Sequence, residues 1–307
     1  MIKQKELVAF PTETVYGLGA DAFCVEAVEK IFKVKGRPAE NPLLVHVSSM
    51  EQAMQLVSYL SEDALRLMKE FWPGPLSMVL PASKRVPDIV RGGKAGVGLR
   101  MPAHPVALRL IEQAGPLAAP SANKYGRPSP VTADHVRTDL HDQIAAVLNA
   151  GTTGVGVEST LIDLQNDYKI LRLGGIALEA IQDVLGREVK APERRPAAQF
   201  AADLEVILAE NYEQLSIILD DCIKRNKKTA LVNNNYQKGP NKSYTGLDRE
   251  YQLDLISGGA VLYSLIRECE SDNVDVLVFA PLPADLTGIA ASFVDRIQRA
   301  VSARLEN

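Results

Sequence analysis

Short apolar runs alternate with amphipathic segments along this chain, and the alternation is interrupted once, between residues 186 and 203. Runs of three to five apolar residues favour short buried strands, and the segments between them have the spacing of amphipathic helices. The interruption contains Pro192 and Pro196 among charged residues and alanines, without a regular period, which is typical of a linker. We therefore predict an α/β protein with a domain at 1–187, a linker at 188–203 and a smaller domain at 204–307.

The larger domain is predicted to contain many short strands with helices between them. Its strands are predicted at 7–10, 43–47, 76–80, 97–100, 117–119, 144–148, 160–164 and 170–173, and its helices at 25–32, 61–71, 105–113, 133–140 and 176–185. Ser48 and Glu51 have the spacing of a capping box that would begin another helix. In the smaller domain, strands are predicted at 204–208, 229–232 and 274–279, and helices at 212–224, 259–270 and 286–305.

Composition indicates a soluble, cytoplasmic protein. The three cysteines are far apart and form no C-x-x-C pair, which argues against a disulfide framework and against a thiolate zinc site. No apolar run reaches the roughly 18 residues of a membrane span, and the first residues lack a secretory signal pattern. Residues 1–190 contain 21 Lys and Arg against 21 Asp and Glu, so a uniformly basic nucleic-acid surface is not expected. Any anion binding must therefore depend on a local cluster of charges.

The common nucleotide-binding and hydrolase motifs are absent. The chain has no G-x-x-x-x-G-K-[ST], no G-x-G-x-x-G, no H-E-x-x-H and no G-x-S-x-G sequence. It is therefore not predicted to be a P-loop NTPase, a dinucleotide dehydrogenase, a zincin or a serine hydrolase.

Lys35 and Arg37 are the pair of cations whose spacing most favours a binding role. A proline follows each of Arg37 and Asn41, which disfavours the helical conformation there, so the segment is predicted to be extended. In an extended chain Lys35 and Arg37 point the same way, and two converging cations need an anion between them. A triphosphate meets that need, because arginine offers a planar fork and lysine a point charge. The alternative is a solvated basic helix end, which is preferred for the two preceding lysines.

Two polar loops directly follow predicted strands. The first contains Thr12 and Thr14 before two glycines, and the second contains Ser121 and Asn123, with Ser129 further along. Loops at strand ends are where α/β folds place ligand-binding groups, and hydroxyl or amide donors bind phosphate without adding charge. The alternatives are an ordinary turn in which Thr12 caps a helix and a proline-rich loop with no ligand.

Four further positions carry side chains suited to binding. His46 interrupts an apolar run, where a histidine is more often a satisfied core residue than a ligand. Arg100 ends the run 97–99 and either clamps a carboxylate or pairs with a nearby acid. Ser159 precedes a predicted strand and either binds a ligand or caps a turn. Arg172 lies between two leucines and is predicted to point to the opposite face from both.

Five motifs occur in one order along residues 7–185: PTETVYGLG, K-x-R-P followed by N-P-L, VGLR-x-P, P-S-A-N and G-V-E-S-T. In this set the chain resembles the YrdC/Sua5 family, and residues 288–300 are similar to the closing helix of the extra domain of longer, Sua5-type members. The resemblance implies a mixed twisted-sheet catalytic domain with a concave basic cleft, and a smaller Rossmann-like α/β C-terminal domain. It also implies threonylcarbamoyl-AMP synthase activity, in which L-threonine, bicarbonate or CO2, and ATP give threonylcarbamoyl-adenylate and pyrophosphate. The product would serve the threonylcarbamoyladenosine modification of tRNA through downstream transferase proteins.

The resemblance also implies roles for individual residues. The family's K-x-R and S-x-N pairs, which hold the nucleotide phosphates and would be catalytic, correspond to Lys35, Arg37, Ser121 and Asn123. Further ATP contacts are implied for Asn41, Ser129 and Arg172. Threonine binding is implied for Thr14, His46, Arg100, Ser159 and the backbone of Ala119. Mg²⁺ is expected to be held largely by phosphate and water, with no metal site built from the protein.

Two features depart from the family pattern. No helix is predicted before the first strand, and the family's His-Tyr-Ala-Pro-like linker stretch corresponds here to Gln199-Phe200-Ala201-Ala202. These departures leave open whether the beginning of the chain is complete and whether the linker closes over the site. The alternatives to a synthase are a module that binds tRNA or double-stranded RNA, a degenerate paralogue, and a hydrogenase-maturation type of carbamoyl transferase. The last alternative expects acylphosphatase and zinc-finger segments, and neither is visible.

Overall fold

The chain forms two compact units, each containing one β-sheet. The computed structural model describes residues 1–165, 167–192, 204–235, 244, 246–255, 259–283 and 286–302. Among these, residues 1–125 and 129–192 belong to the first unit, and residues 126–128 and those from 204 onward belong to the second. Most of the predicted linker, including Gln199-Phe200-Ala201-Ala202, lies outside the described residues.

The first unit consists of short strands connected by loops and short helices. The strands are β1 (Val8–Phe10), β2 (Gly17–Asp21), β3 (Leu44–His46), β4 (Leu76–Pro81), β5 (Gly96–Arg100), β6 (Leu117–Ala118), β7 (Ala146–Val147), β8 (Thr160–Asp163) and β9 (Lys169–Arg172). The helices are α1 (Val25–Lys35), α2 (Met50–Leu56), α3 (Glu62–Phe71), α4 (Asp88–Arg91), α5 (Pro105–Ala114), α6 (Ala133–Leu140) and α7 (Leu178–Leu185). The strands lie in the order β7–β1–β2–β6–β3–β5–β4–β8–β9, with parallel and antiparallel neighbours. The mixed α/β class predicted from the sequence is confirmed.

The central strands bring distant chain segments together. β3 and β5 are parallel, and their register places His46 opposite Arg100. β6 runs antiparallel to both β2 and β3. Just beyond β6, Ser121 forms an isolated bridge with Gly17 at the start of β2. The strand ends therefore collect residues from the early, middle and late parts of the first unit.

Helices cover both faces of this sheet. The larger core cluster joins Ala9 and Ala118 of the sheet to Ile31 of α1. A second cluster contains their strand neighbours Phe10 and Leu117, packed with residues of α5. Because successive strand residues point to opposite faces, this division places the two clusters on opposite sides of the sheet. The sheet is buried on both faces, so its polar loops are held by a rigid scaffold.

A glycine-rich segment predicted as a loop is in fact strand β2. A Cβ atom on Gly19 would lie 2.9 Å from the ring of Phe10 and 3.2 Å from the side chain of Leu117. Only glycine allows β1, β2 and β6 to pair with Phe10 lying across the sheet. Glycine is usually depleted in strands, which is why the sequence pattern predicted a loop.

Several helix boundaries differ from the prediction; α7, for example, begins at Leu178 rather than at residue 176. Helix α1 continues to Lys35, three residues past the predicted end, and stops where Gly36 adopts a left-handed conformation with φ of 64°. The capping box begins at Ser49 rather than Ser48: Ser49 Oγ accepts a hydrogen bond from the N–H of Gln52 at 3.3 Å. The Gln52 side chain in turn accepts from the N–H of Ser48 at 2.9 Å. None of the helices in the described part of the chain is long and apolar enough to cross a membrane.

The first unit extends a few residues past position 187. Val189 is 2% exposed and belongs to the larger core cluster. Lys190 forms a parallel bridge with Lys169, beside β9. The described beginning of the predicted linker is therefore attached to the sheet.

The second unit is a parallel sheet with helices in the connections. Its strands are β10 (Glu205–Leu208), β11 (Thr229–Asn234), β12 (Arg249–Leu253) and β13 (Val276–Phe279), and its helices are α8 (Tyr212–Lys224), α9 (Gly259–Ser271) and α10 (Gly288–Ser302). The strand order is β10–β13–β11–β12, and the described pairs are all parallel. This agrees with the predicted alternation of strands and helices. Strand β12 was not predicted, because it is largely exposed and lacks an apolar run.

Candidate functional site

The loop between β1 and β2, residues 11–16, connects the predicted polar segments through its backbone. Four backbone hydrogen bonds of 2.7–3.0 Å make these connections. The N–H groups of Val155 and Gly156 donate to the carbonyls of Glu13 and Thr14, the N–H of Tyr16 donates to the carbonyl of Pro130, and the N–H of Ala122 donates to the carbonyl of Tyr16. The loop therefore contacts the P-S-A-N turn, the segment after Ser129 and the G-V-E-S-T segment at the same time. Backbone hydrogen bonds of this kind fix the relative positions of the side chains that these segments carry.

A first group of side chains, which we call the Lys35 cluster, consists of Lys35, Arg37, Asn41, Ser121 and Asn123. Lys35 ends α1 and is 3% exposed. Its Nζ donates hydrogen bonds to the backbone carbonyls of Ser121 at 2.6 Å and Asn123 at 2.5 Å. The cation from the first quarter of the chain therefore touches the serine–asparagine turn from the middle of it, as the motif set implied.

Burial affects the protonation of both cations in the Lys35 cluster. Desolvation, together with the nearby Arg37 charge, lowers the pKa of Lys35 to about 7, and Asp139 acts in the opposite direction. Desolvation also lowers the pKa of Arg37 from its ordinary value. A buried cation near another cation is costly, and an anionic ligand between them would offset that cost.

Arg37 and Asn41 are held beside the ring of Tyr125. The Arg37 guanidinium donates to the Pro42 carbonyl at 3.0 Å and lies over the Tyr125 ring, 6.0 Å from its centroid. Asn41 Nδ2 donates to the Tyr125 hydroxyl at 3.3 Å. Tyr125 therefore positions two predicted ATP ligands.

The predicted reason for the convergence of Lys35 and Arg37 was wrong. They do not alternate along an extended chain, because Lys35 is the last helical residue and Gly36 is left-handed. The helix end and the glycine turn bring the two side chains near each other. The effect of the Arg37 charge on the pKa of Lys35 reflects that proximity.

A second group of side chains, the Arg100 cluster, consists of Thr14, His46, Arg100, Ser159 and Arg172. Arg100 ends β5 and is 3% exposed. Its Nη1 donates to Thr14 Oγ1 at 2.8 Å, and its Nε donates to the Gly74 carbonyl at 3.2 Å. Its Nη2 lies 2.8 Å from Oε1 of Glu13. The buried guanidinium is therefore fixed on two sides, as a clamp for an anionic group requires.

His46 is a neutral, buried imidazole beside Arg100. Desolvation, with the charges of Arg100 and Arg172, lowers the pKa of His46 to about 3. Its ring meets Phe10 edge-on with 6.0 Å between centroids. Its Nδ1 has no hydrogen-bond partner among the residues described. One ring nitrogen of the buried His46 is therefore left for a ligand to contact.

Ser159 and Arg172 bind each other. Arg172 donates from Nη2 to Ser159 Oγ at 3.0 Å and from Nε to the Ser159 carbonyl at 3.1 Å. Ser159 Oγ also lies 2.7 Å from the hydroxyl of the buried Ser77 in β4. The two residues were predicted to contact different substrates, and the structure places them in one hydrogen-bonded group.

The last two predicted residues have protein partners. Ser129 Oγ donates to Glu158 Oε1 at 2.7 Å. The backbone N–H of Ala119 donates to the Leu44 carbonyl at 2.8 Å. Both lie on segments that loop 11–16 or the central sheet holds beside the clusters.

The chemistry of the two clusters suits anionic ligands. Each contains arginine, and the Lys35 cluster adds a lysine, while serine, threonine and asparagine supply neutral donors. Among the residues that the structure describes, no group of three or more His, Cys, Asp or Glu side chains is arranged to hold a metal ion.

Comparison with known proteins establishes the family. The family model described as Sua5_yciO_yrdC, telomere recombination, matches residues 1–174. This chain belongs to the Sua5/YciO/YrdC family. The family recognised from the motifs is thereby confirmed.

Relatives of the Sua5 type match both units of the chain. Threonylcarbamoyl-AMP synthase of Pyrococcus abyssi is 37% identical, with 99% of this chain and 93% of the relative aligned. Threonylcarbamoyl-AMP synthase of Bacillus subtilis is 35% identical, with coverages of 99% and 92%. The crystal structure of P. abyssi Sua5 complexed with L-threonine matches with a TM-score of 0.89 at 38% identity, covering 99% of this chain and 92% of that one. The fold is therefore that of the two-domain Sua5 type.

In this Sua5-type chain, sequence reasoning missed three side chains that contact the clusters. Glu13 lies inside the motif PTETVYGLG, and its negative charge among threonines and glycines was the available signal. Ser77 is a polar residue in the apolar run 76–80, and that interruption was the available signal. Tyr125 follows the P-S-A-N motif in a loop, and no periodicity marks it.

Gly174 supports the Ser159–Arg172 group by close backbone approach, and a Gly174→Ala variant is expected to be strongly destabilised. A Cβ there would lie 2.3 Å from the Glu158 carbonyl oxygen and 2.4 Å from backbone atoms of Ser159 and Thr160. Backbone atoms cannot move aside cheaply, so we expect a cost of about 3 kcal/mol and a melting temperature lower by about 5–10 °C. The matched control is Gly154→Ala, because a Cβ on Gly154 meets nothing within 4 Å. Equal melting temperatures for the two variants would contradict this account of Gly174.

Proposed function

We propose that this chain is a threonylcarbamoyl-AMP synthase, a nucleotidyltransferase that converts L-threonine, bicarbonate or CO2, and ATP to threonylcarbamoyl-adenylate and pyrophosphate. The observation that carries the proposal is the contact of buried Lys35 with the Ser121–Asn123 turn, in a chain 37% identical over 99% of its length to a protein of that name. In the reaction, the threonine amine captures CO2 as a carbamate. A carbamate oxygen then bonds to the α-phosphorus while the bond to pyrophosphate breaks.

We assign the nucleotide to the Lys35 cluster. Lys35 and Arg37 supply positive charge to the triphosphate, where the transition state spreads negative charge over the phosphate oxygens. Ser121 and Asn123 offer hydroxyl and amide donors, and Asn41, Ser129 and Arg172 complete the nucleotide contacts. ATP enters as its Mg²⁺ complex, with the ion held by phosphate and water.

Threonine is assigned to the Arg100 cluster. The Arg100 guanidinium binds the α-carboxylate, because a buried arginine is the strongest available partner for that group. Thr14, His46, Ser159 and the backbone at Ala119 surround the rest of the amino acid. The neutral state of His46 allows it to contact the substrate without adding charge.

The chain's contribution to the rate is positioning and electrostatic stabilisation. Loop 11–16 is bonded to the segments that carry both clusters, so it fixes the carbamate relative to the α-phosphate. Water has to be excluded, because the carbamate is labile, and we propose that the two clusters line one basic cleft.

The division of the chain and the fate of the product complete the proposal. We propose that the catalytic domain begins at residue 1 and includes Val189 and Lys190, which are attached to its sheet, that a linker follows up to residue 203, and that residues 204–307 form an accessory domain. The product would pass in the cytoplasm to proteins that modify tRNA.

Pyrophosphate release from ATP tests the proposal directly. Purified chain is incubated with ATP, Mg²⁺, bicarbonate and threonine, and we expect pyrophosphate only when threonine and bicarbonate are both present. Replacing threonine by valine, which lacks the hydroxyl, is the control for substrate recognition. ATP turnover that ignores threonine, or salt-dependent tRNA binding without turnover, would contradict the synthase assignment and favour the alternatives.

A further inference from the structure

The carboxylate of Glu13 is buried beside Arg100 with its hydrogen-bonding capacity unused. The side chain is 17% exposed, yet both oxygens are buried, and neither accepts a hydrogen bond from the residues that the structure describes. Oε1 lies 2.8 Å from Nη2 of Arg100, but the two atoms are not aligned for a hydrogen bond. Nη2 likewise has no hydrogen-bond partner in the described part of the chain.

This arrangement is costly unless a ligand completes it. A buried carboxylate is stabilised by a neighbouring guanidinium, but its unmet acceptors still carry a desolvation cost. The other nitrogens of Arg100 are already bonded, Nη1 to Thr14 and Nε to Gly74. One guanidinium nitrogen and one carboxylate therefore remain side by side, of opposite charge and each with unused hydrogen-bonding groups.

We propose that Glu13 binds the α-ammonium group of the amino-acid substrate, while Nη2 of Arg100 binds its α-carboxylate. An α-amino acid carries a positive and a negative group on the same carbon, which matches a negative and a positive group 2.8 Å apart. The assignment rests on the proposed function, in which that amino acid is threonine. It makes the pair a receptor for the zwitterion rather than for any carboxylate.

Glu13 also orients the nucleophile after carbamate formation. To form the carbamate, the ammonium gives one proton to bicarbonate, which yields CO2 and water. The amine nitrogen then bonds to the carbon of CO2 and releases a second proton to water, so that one N–H remains and donates to the Glu13 carboxylate. Like charges repel, so the anionic carbamate oxygens turn away from Glu13. The Lys35 cluster supplies the positive charge that attracts them.

A purely structural role for Glu13 would be to hold and neutralise Arg100, and two ligands distinguish the roles. The first is threonine, and the second is its α-hydroxy analogue, in which a hydroxyl replaces the ammonium group. Binding of each is measured by calorimetry without ATP, for the wild type and for Glu13→Gln. We expect threonine binding to weaken by about 30- to 100-fold in Glu13→Gln and binding of the analogue by less than about threefold. Equal weakening of both ligands would overturn the proposal, because it would mean that Glu13 acts only through Arg100.

Controls separate this inference from folding and from the proposed function. Glu112→Gln removes an exposed acid whose partner is the exposed Arg109, and it should leave both affinities unchanged. If Glu13→Gln does not fold, the wild type alone tests the idea. Its threonine affinity should fall as pH rises and the ammonium loses its proton, whereas analogue binding should not; parallel profiles would overturn the proposal. A wild type that discriminates the ligands yet releases no threonine-dependent pyrophosphate would refute the synthase assignment and leave the Glu13 assignment standing.

Discussion

Arg100→Met is expected to lower kcat/KM for threonine by about 1,000-fold while changing the KM for ATP by less than about threefold. Arg100 is 3% exposed, so water cannot replace its charge at the substrate carboxylate. The variant leaves that carboxylate, and Glu13 beside it, without a positive partner in a buried site. Methionine keeps much of the side-chain volume, so the loss reports the charge and its hydrogen bonds.

Initial rates of pyrophosphate release at varied threonine and at varied ATP measure the two effects separately. Arg109→Met is the matched control, because Arg109 is an exposed arginine of α5 whose partner Glu112 is also exposed, and it should change neither constant. Breaking the buried pair also lowers the stability of the protein, so melting temperatures are measured alongside the rates. A double variant, Arg100→Met with Glu13→Gln, removes both charges of the pair, so that neither is left buried without its partner. A folded Arg100→Met protein with unaltered threonine dependence would show that the carboxylate binds elsewhere.

The apolar pattern was sufficient to predict most of the scaffold. Helix α8 has the predicted bounds, Tyr212–Lys224. Each end of strands β1, β3 and β5 lies within one residue of the end predicted for that strand. These elements are recognisable because burial of the same face recurs at regular spacing. Strand β2 was not predicted, because its glycines are required by the close approach of Phe10. Phe10 belongs to the neighbouring strand β1, so the sequence of β2 alone does not reveal that requirement.

Local rules failed where tertiary structure determines the geometry of the site. The proline rule predicted an extended chain through Lys35, whereas the α1 helix end and Gly36 set its direction. The partners of Lys35 are backbone carbonyls 86 and 88 residues away, and no local pattern specifies such contacts. The motif set identified the family because it combined segments that only the fold brings together.

The missed acid illustrates the same limit. Glu13 occupies a position whose neighbours invite interpretation as a phosphate-binding loop, and a carboxylate is the wrong charge for that role. Glu13 lies just after β1 and Arg100 ends β5, so their contact joins residues that are far apart in the sequence. A charge pair of this separation becomes visible only once the register of the sheet is known.

Lys35→Met is expected to lower kcat/KM for ATP by about 100- to 1,000-fold. The variant removes a buried positive charge from the phosphate site and leaves the carbonyls of Ser121 and Asn123 without their donor. Lys33→Met is the matched control, because Lys33 lies two positions before Lys35 on the same helix and is exposed. Pyrophosphate release at varied ATP measures the effect, and comparable losses in the two variants would show that general charge on α1, rather than Lys35, carries the binding.

The pH dependence of nucleotide binding distinguishes Lys35 from the other cations. Desolvation lowers its pKa to about 7, so the free protein loses this proton as pH rises above 7, whereas a bound triphosphate favours the ammonium. The affinity of the wild type for a non-hydrolysable ATP analogue should therefore fall by about 50-fold between pH 7 and pH 9. Lys35→Met should bind weakly and with little pH dependence, since its other cation, Arg37, keeps its proton throughout this range. Calorimetric titrations without threonine give the affinities, and a wild-type profile that stays flat to pH 9 would mean that Lys35 keeps its charge despite its burial.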